Sequence, residues 1–512
     1  MIKNFYKLLE FVEKNDRKKL YFIQFQIILV SFLEIISLSL IIPFIKLASD
    51  ESSIDKIILL KKFYNFFNFE SHSAFTIFSG LVLICAFVLS SIFTLWTRYN
   101  IVTFSQNLSA YLANNLFKNI LAKDYLFYVD NSLSKIMRIL NEETTRLISG
   151  VIFPTLVIVS KLFLIFFILI VLINHSLVTT ILLSFLFLII YFFIYRILKE
   201  KISLYGTELS NLGIKKIKFI DDTYNSIKEI KVYNKTVYFS DKFSSFSNKV
   251  AKIYSFVNIA SIFPRYLIDM VGFALSIFAI IFFIIFSEQN LTETFSILAF
   301  YSLAAYRLIP AFQEIYSSSL NIKNNAVSME LINKISDNLV KKNNTSQKMT
   351  NIDNFSHSIF FRNINFKYKN SKSYLFNNLD FKIEKNKNVI IVGETGSGKS
   401  TILDIIMGLN KPESFDLLID SKKIPNEKYN SLVGMMSYVS QNIMLTNDSL
   451  LQNICLGEGE NYKKDKLDLA IKVSNLDNVI TTLKDGLNTK IGDKGSTLSG
   501  GQIQRVGIAR AI

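Results

Sequence analysis

Cysteine, histidine, proline and acidic residues are all scarce in this 512-residue chain. The two cysteines, Cys85 and Cys455, lie in different parts of the chain, which excludes a disulfide framework. Residues 1–19 are too polar to read as a signal peptide. Glycine is nearly missing from the first three quarters: thirteen of the eighteen glycines follow residue 390. The long apolar runs have the opposite distribution and all precede residue 320. Half of the residues are hydrophobic and the mean hydropathy is positive, unusual for a soluble protein. A membrane part followed by a soluble part is the direct reading.

The shortage of acid, 41 Asp and Glu against 57 Lys and Arg, leaves a formal charge of +16. A nucleic-acid partner is one meaning of such an excess. Basic cytoplasmic loops on a membrane protein account for it more simply, and no nucleic-acid partner is expected. Of six prolines, Pro43, Pro154, Pro264 and Pro310 fall in or at the ends of apolar runs, where kinks are expected.

What is present begins with Asn388–Thr401, NVIIVGETGSGKST. Val389, Ile390, Ile391 and Val392 read as a buried strand that breaks into a glycine-rich turn, after which Lys399, Ser400 and Thr401 open a helix. Strand, G-x-x-x-x-G-K-S and helix make a P-loop. Its residues Gly393, Glu394, Thr395, Gly396, Ser397 and Gly398 can turn successive N–H groups toward phosphate oxygens. The helix adds its positive end. Lys399 supplies a charge for the β- and γ-phosphates, and the Ser400 hydroxyl a ligand for Mg²⁺.

Six apolar runs reach the roughly 20 residues that a helical span needs. They are 20–48, 75–97, 151–173, 177–198, 267–286 and 295–315. The connections 98–146 and 196–263 are rich in Lys and Arg and read as helical extensions of the spans. The connections 174–176 and 287–294 carry no Lys or Arg, so the positive-inside rule puts both termini and the two long connections in the cytoplasm. Ile2, Phe5, Tyr6, Leu9 and Val12 share one face of a helix suited to the membrane surface, and Trp96 sits at a predicted interface. Residues 54–69 read as a short external helix or a plain loop. The divisions are 1–335 membrane domain, 336–356 linker and 357–512 nucleotide-binding domain.

Two further constellations follow the P-loop. Ser437–Gln441 (SYVSQ) ends a predicted strand, and Leu498–Gln502 (LSGGQ) precedes a helical pattern, IQRVGIARAI. With these the whole chain resembles the ATP-binding cassette (ABC) transporters. The resemblance implies a type I exporter-like α-helical six-span domain followed by an incomplete α/β P-loop ATPase domain. It implies that Ser499, Gly500, Gly501 and Gln502 bind the γ-phosphate held by the P-loop of another subunit. Gln441 resembles the Q-loop glutamine that touches Mg²⁺, and Tyr368 the aromatic that stacks on adenine. ATP and Mg²⁺ are the implied cofactors, and a head-to-tail homodimer in a bacterial inner membrane the implied assembly.

The chain stops at Ile512, inside the helix after LSGGQ. The family's Walker B strand, with its metal-binding aspartate and general-base glutamate, is expected to begin within roughly ten residues of that point. The only histidines are His72, His175 and His357, so the family's switch histidine is also outside the chain, which contains no catalytic residue. Either the chain is a fragment or it is a pseudo-transporter, and as it stands it should turn ATP over negligibly.

SFLEIISLSLIIPFIKLASD in the first run and AYRLIPAF in the sixth resemble flippases of lipid-linked oligosaccharides. The implied substrate is an amphiphile, and Arg265 and Arg307 are the candidates to read a diphosphate. Each has a structural alternative: Arg265 pairing with Asp269, and Arg307 with Glu34. Glu314, two turns beyond Arg307, adds charge of the wrong sign. The alternatives in function are a peptide, drug or lipid A-type exporter, and a nucleotide-gated protein that does not transport.

Overall fold

The structure, a computed structural model, describes residues 14–49, 54, 58–175, 177–286, 291–336, 355–368, 371, 373–425, 429, 436–459, 461–492 and 495–512. The expected surface helix at 2–12 and most of the linker lie outside the described residues. The chain divides into two units, 1–343 and 344–512.

The first unit is helical. Helix α1 (Lys14–Ser39) breaks at Leu40 and resumes as α2 (Ile41–Ser49). The cause is Pro43, which has no N–H to give the Ser39 carbonyl. A short helix α3 (Ile58–Phe66) follows, so the 54–69 stretch is helical at its centre. Its ring of Tyr64 packs edge-on against Phe75 at 5.3 Å. Helix α4 (His72–Leu121) starts at Ser71, whose hydroxyl accepts from the Ala74 N–H at 3.3 Å.

The connection expected to be helical at 98–146 is so throughout most of its length. The second half of α4 repeats apolar residues at helical spacing (Ile101, Phe104, Leu108, Leu112, Leu116, Ile120). They share a core with Leu20, Ile23 and Ile27 of α1. Then come α5 (Tyr125–Asp130), α6 (Leu133–Arg138), a π turn (Ile139–Glu143), α7 (Thr144–Leu147), a second π turn (Ile148–Ile152) and α8 (Phe153–His175). The second π turn directly precedes Pro154, which cannot donate to Gly150. Helices α9 (Leu177–Asn225), α10 (Ile227–Val232), α11 (Thr236–Phe286) and α12 (Leu291–Ser336) complete the unit.

The six apolar runs fall in α1–α2, α4, α8, α9, α11 and α12. Among the described residues, Arg17–Ser37, His72–Leu121, Leu133–Ile173 and Thr236–Ala274 are long and apolar enough to cross a membrane by length and composition.

The second unit has an antiparallel sheet in the order β2-β1-β3-β4, made of β1 (Ser358–Phe366), β2 (Phe376–Glu384), β3 (Ser414–Ile419) and β4 (Lys422–Ile424). Phe361 pairs with Phe381 on one side and Leu417 on the other. Helix α13 (Lys399–Ile406) buries Ile405 against Phe361, Phe366, Phe376 and Tyr429, and the Tyr429 hydroxyl donates to the Ile405 carbonyl. A second, helical core gathers α14 (Leu450–Ile454), α15 (Lys464–Val473), α16 (Asp477–Thr482) and α17 (Gly500–Ala511), with Leu450, Leu476 and Val506 fully buried.

Two expectations are corrected here. Val389–Val392 is not a strand, nor is the described part of the run ending in Gln441. Val389, Ile390 and Val392 are exposed, as are Tyr438 and Val439. A strand exists through its hydrogen-bonded neighbour, and both edges of β1 are taken by β2 and β3. No strand among the described residues runs beside either segment, so β-branched composition alone does not make them strands.

Candidate nucleotide site

The P-loop turn closes without its strand. The Ser397 N–H donates to the Glu394 carbonyl at 3.2 Å, and Gly398, at φ +92°, caps α13. Only glycine suits that backbone at low cost, and a Cβ there would also crowd the Phe376 ring. Gly396 is left-handed too, at φ +89°. Gly393, Glu394, Thr395, Gly396 and Ser397 are exposed, so the turn is open to an outside group.

Lys399 folds back over this turn. Its ammonium donates to the Gly393 carbonyl at 2.8 Å and to the Glu394 carbonyl at 2.6 Å. A cation held by two neutral carbonyls has no carboxylate to compete with a phosphate for it. Ser400 is exposed and its hydroxyl makes no hydrogen bond within the described chain, whereas Thr401 is buried. The Thr401 hydroxyl shares a 2.9 Å hydrogen bond with the Tyr368 hydroxyl. Tyr368 therefore stands at the start of the P-loop helix, its ring edge-on to Phe366 at 5.0 Å and partly exposed. Gln441 is exposed, directly after the described residues 436–440 that form no strand.

The LSGGQ segment begins α17. Ser499 is its N-cap: the Gln502 N–H donates to the Ser499 hydroxyl oxygen at 3.4 Å. The Gln502 side-chain oxygen accepts the Ser499 N–H at 2.7 Å, completing a capping box. Gln502 is thus engaged in the cap, while the Ser499 hydroxyl hydrogen stays available. Open space surrounds Gly500 and Gly501. A twelve-residue helix with an open N-terminus is a favourable place for an anion.

The substrate candidates are less uniform. Arg265 pairs with Asp269 at 3.7 Å, the structural alternative expected from their spacing, and both are exposed. Arg307 does not pair with Glu34. Its guanidinium lies 5.6 Å from the Phe87 ring centre, while buried Glu34 accepts the Thr94 hydroxyl at 3.0 Å. Glu314 is neutralised by Arg98 at 3.4 Å and Lys161 at 3.6 Å, two residues that spacing along the chain could not have revealed.

A P-loop with a free cation-bearing turn, an LSGGQ helix cap and a preceding bundle of long apolar helices define a nucleotide-binding membrane protein of half-transporter build. Comparison with known proteins carries this further. The ABC transporter transmembrane region matches residues 20–309, more than half of the chain, and a second family model, ABC transporter, matches 376–512. The chain belongs to the ABC transporter family. It is 36% identical over 152 residues to an ATP-dependent lipid A-core flippase of Pectobacterium atrosepticum, covering 30% of this chain and 26% of that protein. It is 29% identical over 305 residues to a putative export ATP-binding/permease protein of Rickettsia typhi, covering 57% of this chain and 50% of that one. The chain thus spans half or less of the length of these curated relatives. In fold it is similar to a bacterial Atm1-family ABC exporter solved with ATP bound: TM-score 0.75, 18% identity, 97% of this chain and 83% of that one.

Proposed function

We propose that the chain is one half of an ATP-driven exporter or flippase that moves an amphiphilic, lipid-linked substrate across a bacterial inner membrane. It works as a homodimer with its cassettes in the cytoplasm, so that the P-loop of one copy and the LSGGQ cap of the other enclose one ATP. The observation that carries this reading is the α17 N-terminus, where Gln502 satisfies the cap and leaves the Ser499 hydroxyl and two open glycines facing outward. An anion site so exposed is half of a site and needs a second surface.

In that assembly Lys399 would leave its two carbonyls for the β- and γ-phosphates, Ser400 and Gln441 would hold Mg²⁺, and Tyr368 would lie against adenine. When bound, the metal would supply charge neutralisation for the triphosphate. Similarity to an ATP-dependent lipid A-core flippase supports a lipid as cargo, and a diphosphate-linked oligosaccharide is the particular lipid proposed. Arg307, whose only described partner is an aromatic face, is the side chain proposed to meet it.

The assembly is tested by tethering two copies of the natural gene product. One copy with Ser499→Arg and the other with Lys399→Ala damage a single shared site, and both changes in one copy damage two. The first arrangement should keep clearly more ATPase activity, and equal activities would sink the head-to-tail dimer. Flipping of a lipid-linked oligosaccharide in proteoliposomes tests the cargo. Transport of a peptide substrate in its place would establish the alternative.

A further inference from the structure

The described residues contain one fully buried carboxylate of unusual construction, and the site above makes no use of it. Glu143, at 0% exposure, ends the first π turn. One of its oxygens accepts from Arg138 Nε at 3.0 Å, Arg146 Nη1 at 3.2 Å and the Ser210 hydroxyl at 2.9 Å. The other accepts from Arg146 at 3.3 Å and from the Ser328 hydroxyl. Ser210 belongs to α9 and Ser328 to α12, so a single carboxylate ties three parts of the helical unit together.

The two arginines extend the tie. Arg138, also buried, donates to the Leu209 carbonyl of α9 at 3.1 Å and pairs with Glu142. Arg146 donates to the Asn325 side chain at 3.0 Å and to the Asn324 carbonyl at 3.4 Å, both in α12. Room for this comes from two glycines of α9. A Cβ at Gly213 would overlap the Arg138 guanidinium, and one at Gly206 the Asn324 carbonyl.

The chain makes this arrangement at a cost. Arg138 and Glu143 are five residues apart, a spacing that diverges on an α-helix; the π turn between them brings them onto one side. Apolar residues of the same volume commonly hold helices together as well as, or better than, a buried ion pair. What apolar packing lacks is direction. It tolerates sliding and rotation of one helix on another, whereas five hydrogen bonds to one carboxylate do not.

We propose that Glu143 is a positioning residue: it locks the axial register of the α6–α7 segment, α9 and α12, so that the three move as one body. The use of such a lock, passing a displacement from the cassette to the spans, rests on the exporter reading above; the lock itself does not.

The experiment uses the full chain with Cys85→Ala and Cys455→Ala, spin-labelled at exposed Leu133 and Leu204, or at Leu204 and Glu330. Excess unlabelled protein suppresses signals between copies. The parent should give a narrow distance distribution for each pair. Arg138→Met/Glu143→Leu/Arg146→Met restores apolar packing without direction, and at a similar melting temperature it should widen both distributions about twofold, as sliding helices would. Equally narrow distributions would overturn the lock and leave the cluster as packing. If the triple variant does not fold, Glu143→Gln, which keeps the shape and loses the charge, is judged by the same widths. In proteoliposomes the lock predicts fewer substrate molecules moved per ATP hydrolysed. Absence of flipping by the natural gene product, in a preparation that hydrolyses ATP, would defeat the exporter reading, while the label widths would still decide the lock.

Discussion

Glu143 and Lys399 both sit where a helical segment meets a turn, and both are bonded to groups of their own unit. Glu143 is enclosed, and its five hydrogen bonds come from four side chains on three helical segments, two of them with full positive charges. Lys399 is half-buried, and its two acceptors are neutral carbonyls of the adjoining turn. The first arrangement has nothing left to offer an outside group, and separating it strands charges away from water. The second gives up little when a phosphate arrives. A charged side chain that is saturated by charged partners maintains shape, and one that rests on neutral acceptors is held ready.

That contrast is broken most directly by exchanging the readouts. Glu143→Ala leaves Arg138 and Arg146 without their shared counter-charge and should cost about 3–5 kcal/mol of stability. Because the change lies in the helical unit, the dissociation constant for ATP should hardly move. A melting temperature within a degree or two of the parent would show that the cluster is not what holds those helices, and that the comparison is false.

Lys399→Ala should behave in the reverse way. Nucleotide at a hundredfold excess over its dissociation constant stabilises a protein by about 2.7 kcal/mol, seen as a rise in melting temperature. The variant should melt near the parent temperature without nucleotide and lose most of that rise with ATP. An undiminished rise would mean that the loop binds triphosphate without its lysine, and that the P-loop reading is wrong.

The sequence carried one side of this comparison far better than the other. G-x-x-x-x-G-K-S and LSGGQ are local: turn, cap and helix N-terminus arise from neighbours in the chain, and so their residues could be named from spacing alone. The Glu143 cluster joins positions 138–146, 206–213 and 324–328, and its central pair sits at a spacing that α-helical periodicity rejects. The first π turn, which brings the pair together, has no signature in the sequence; Pro154 lies beyond the second one. Val389–Val392 fails in the opposite direction. Its composition is that of a strand, but pairing is a property of a neighbour, which composition does not contain. Glu314 was legible as a misplaced negative charge only because Arg98 and Lys161 are distant in sequence.

A smaller effect is expected at Arg307. Its guanidinium rests on Phe87 and Glu34 is satisfied by Thr94, so Arg307→Ala should leave no stranded carboxylate, and the melting temperature should stay close to the parent value. Flipping should fall several-fold, and Arg307→Lys should keep part of it, because lysine retains charge without the planar fork. Arg265→Ala should do less, since Asp269 already engages that side chain. Normal flipping by Arg307→Ala would remove the diphosphate reading. A fall in stability that Glu34→Gln repairs would reinstate the ion pair.

The smallest effect tests whether the cassette also contains a charge held for shape alone. Asp404, half-buried on α13, has its carboxyl pKa raised from the ordinary value by burial. Its one side-chain partner is the Asn410 amide at 3.3 Å, and the Asn410 side-chain oxygen is buried without a donor. Among the described residues no cation compensates it, in contrast to Glu143. A carboxyl whose folded pKa lies above its unfolded value keeps its proton longer in the folded state, so stability is lost as pH rises through the unfolded and then the folded pKa, and stays lower above both. Asp404→Asn removes that loss and gives the orphaned oxygen a donor. At pH 7.5 the variant should therefore be more stable by about 0.5–1 kcal/mol, the net worth of one hydrogen bond. As pH falls through the folded and then the unfolded pKa, the parent carboxyl takes up its proton and can itself donate to Asn410, and the two should come to melt together. A variant less stable than the parent at pH 7.5 would mean that the ionised carboxylate serves the fold or the adjoining P-loop, and Asp404 would then stand beside Glu143 as a charge kept for shape.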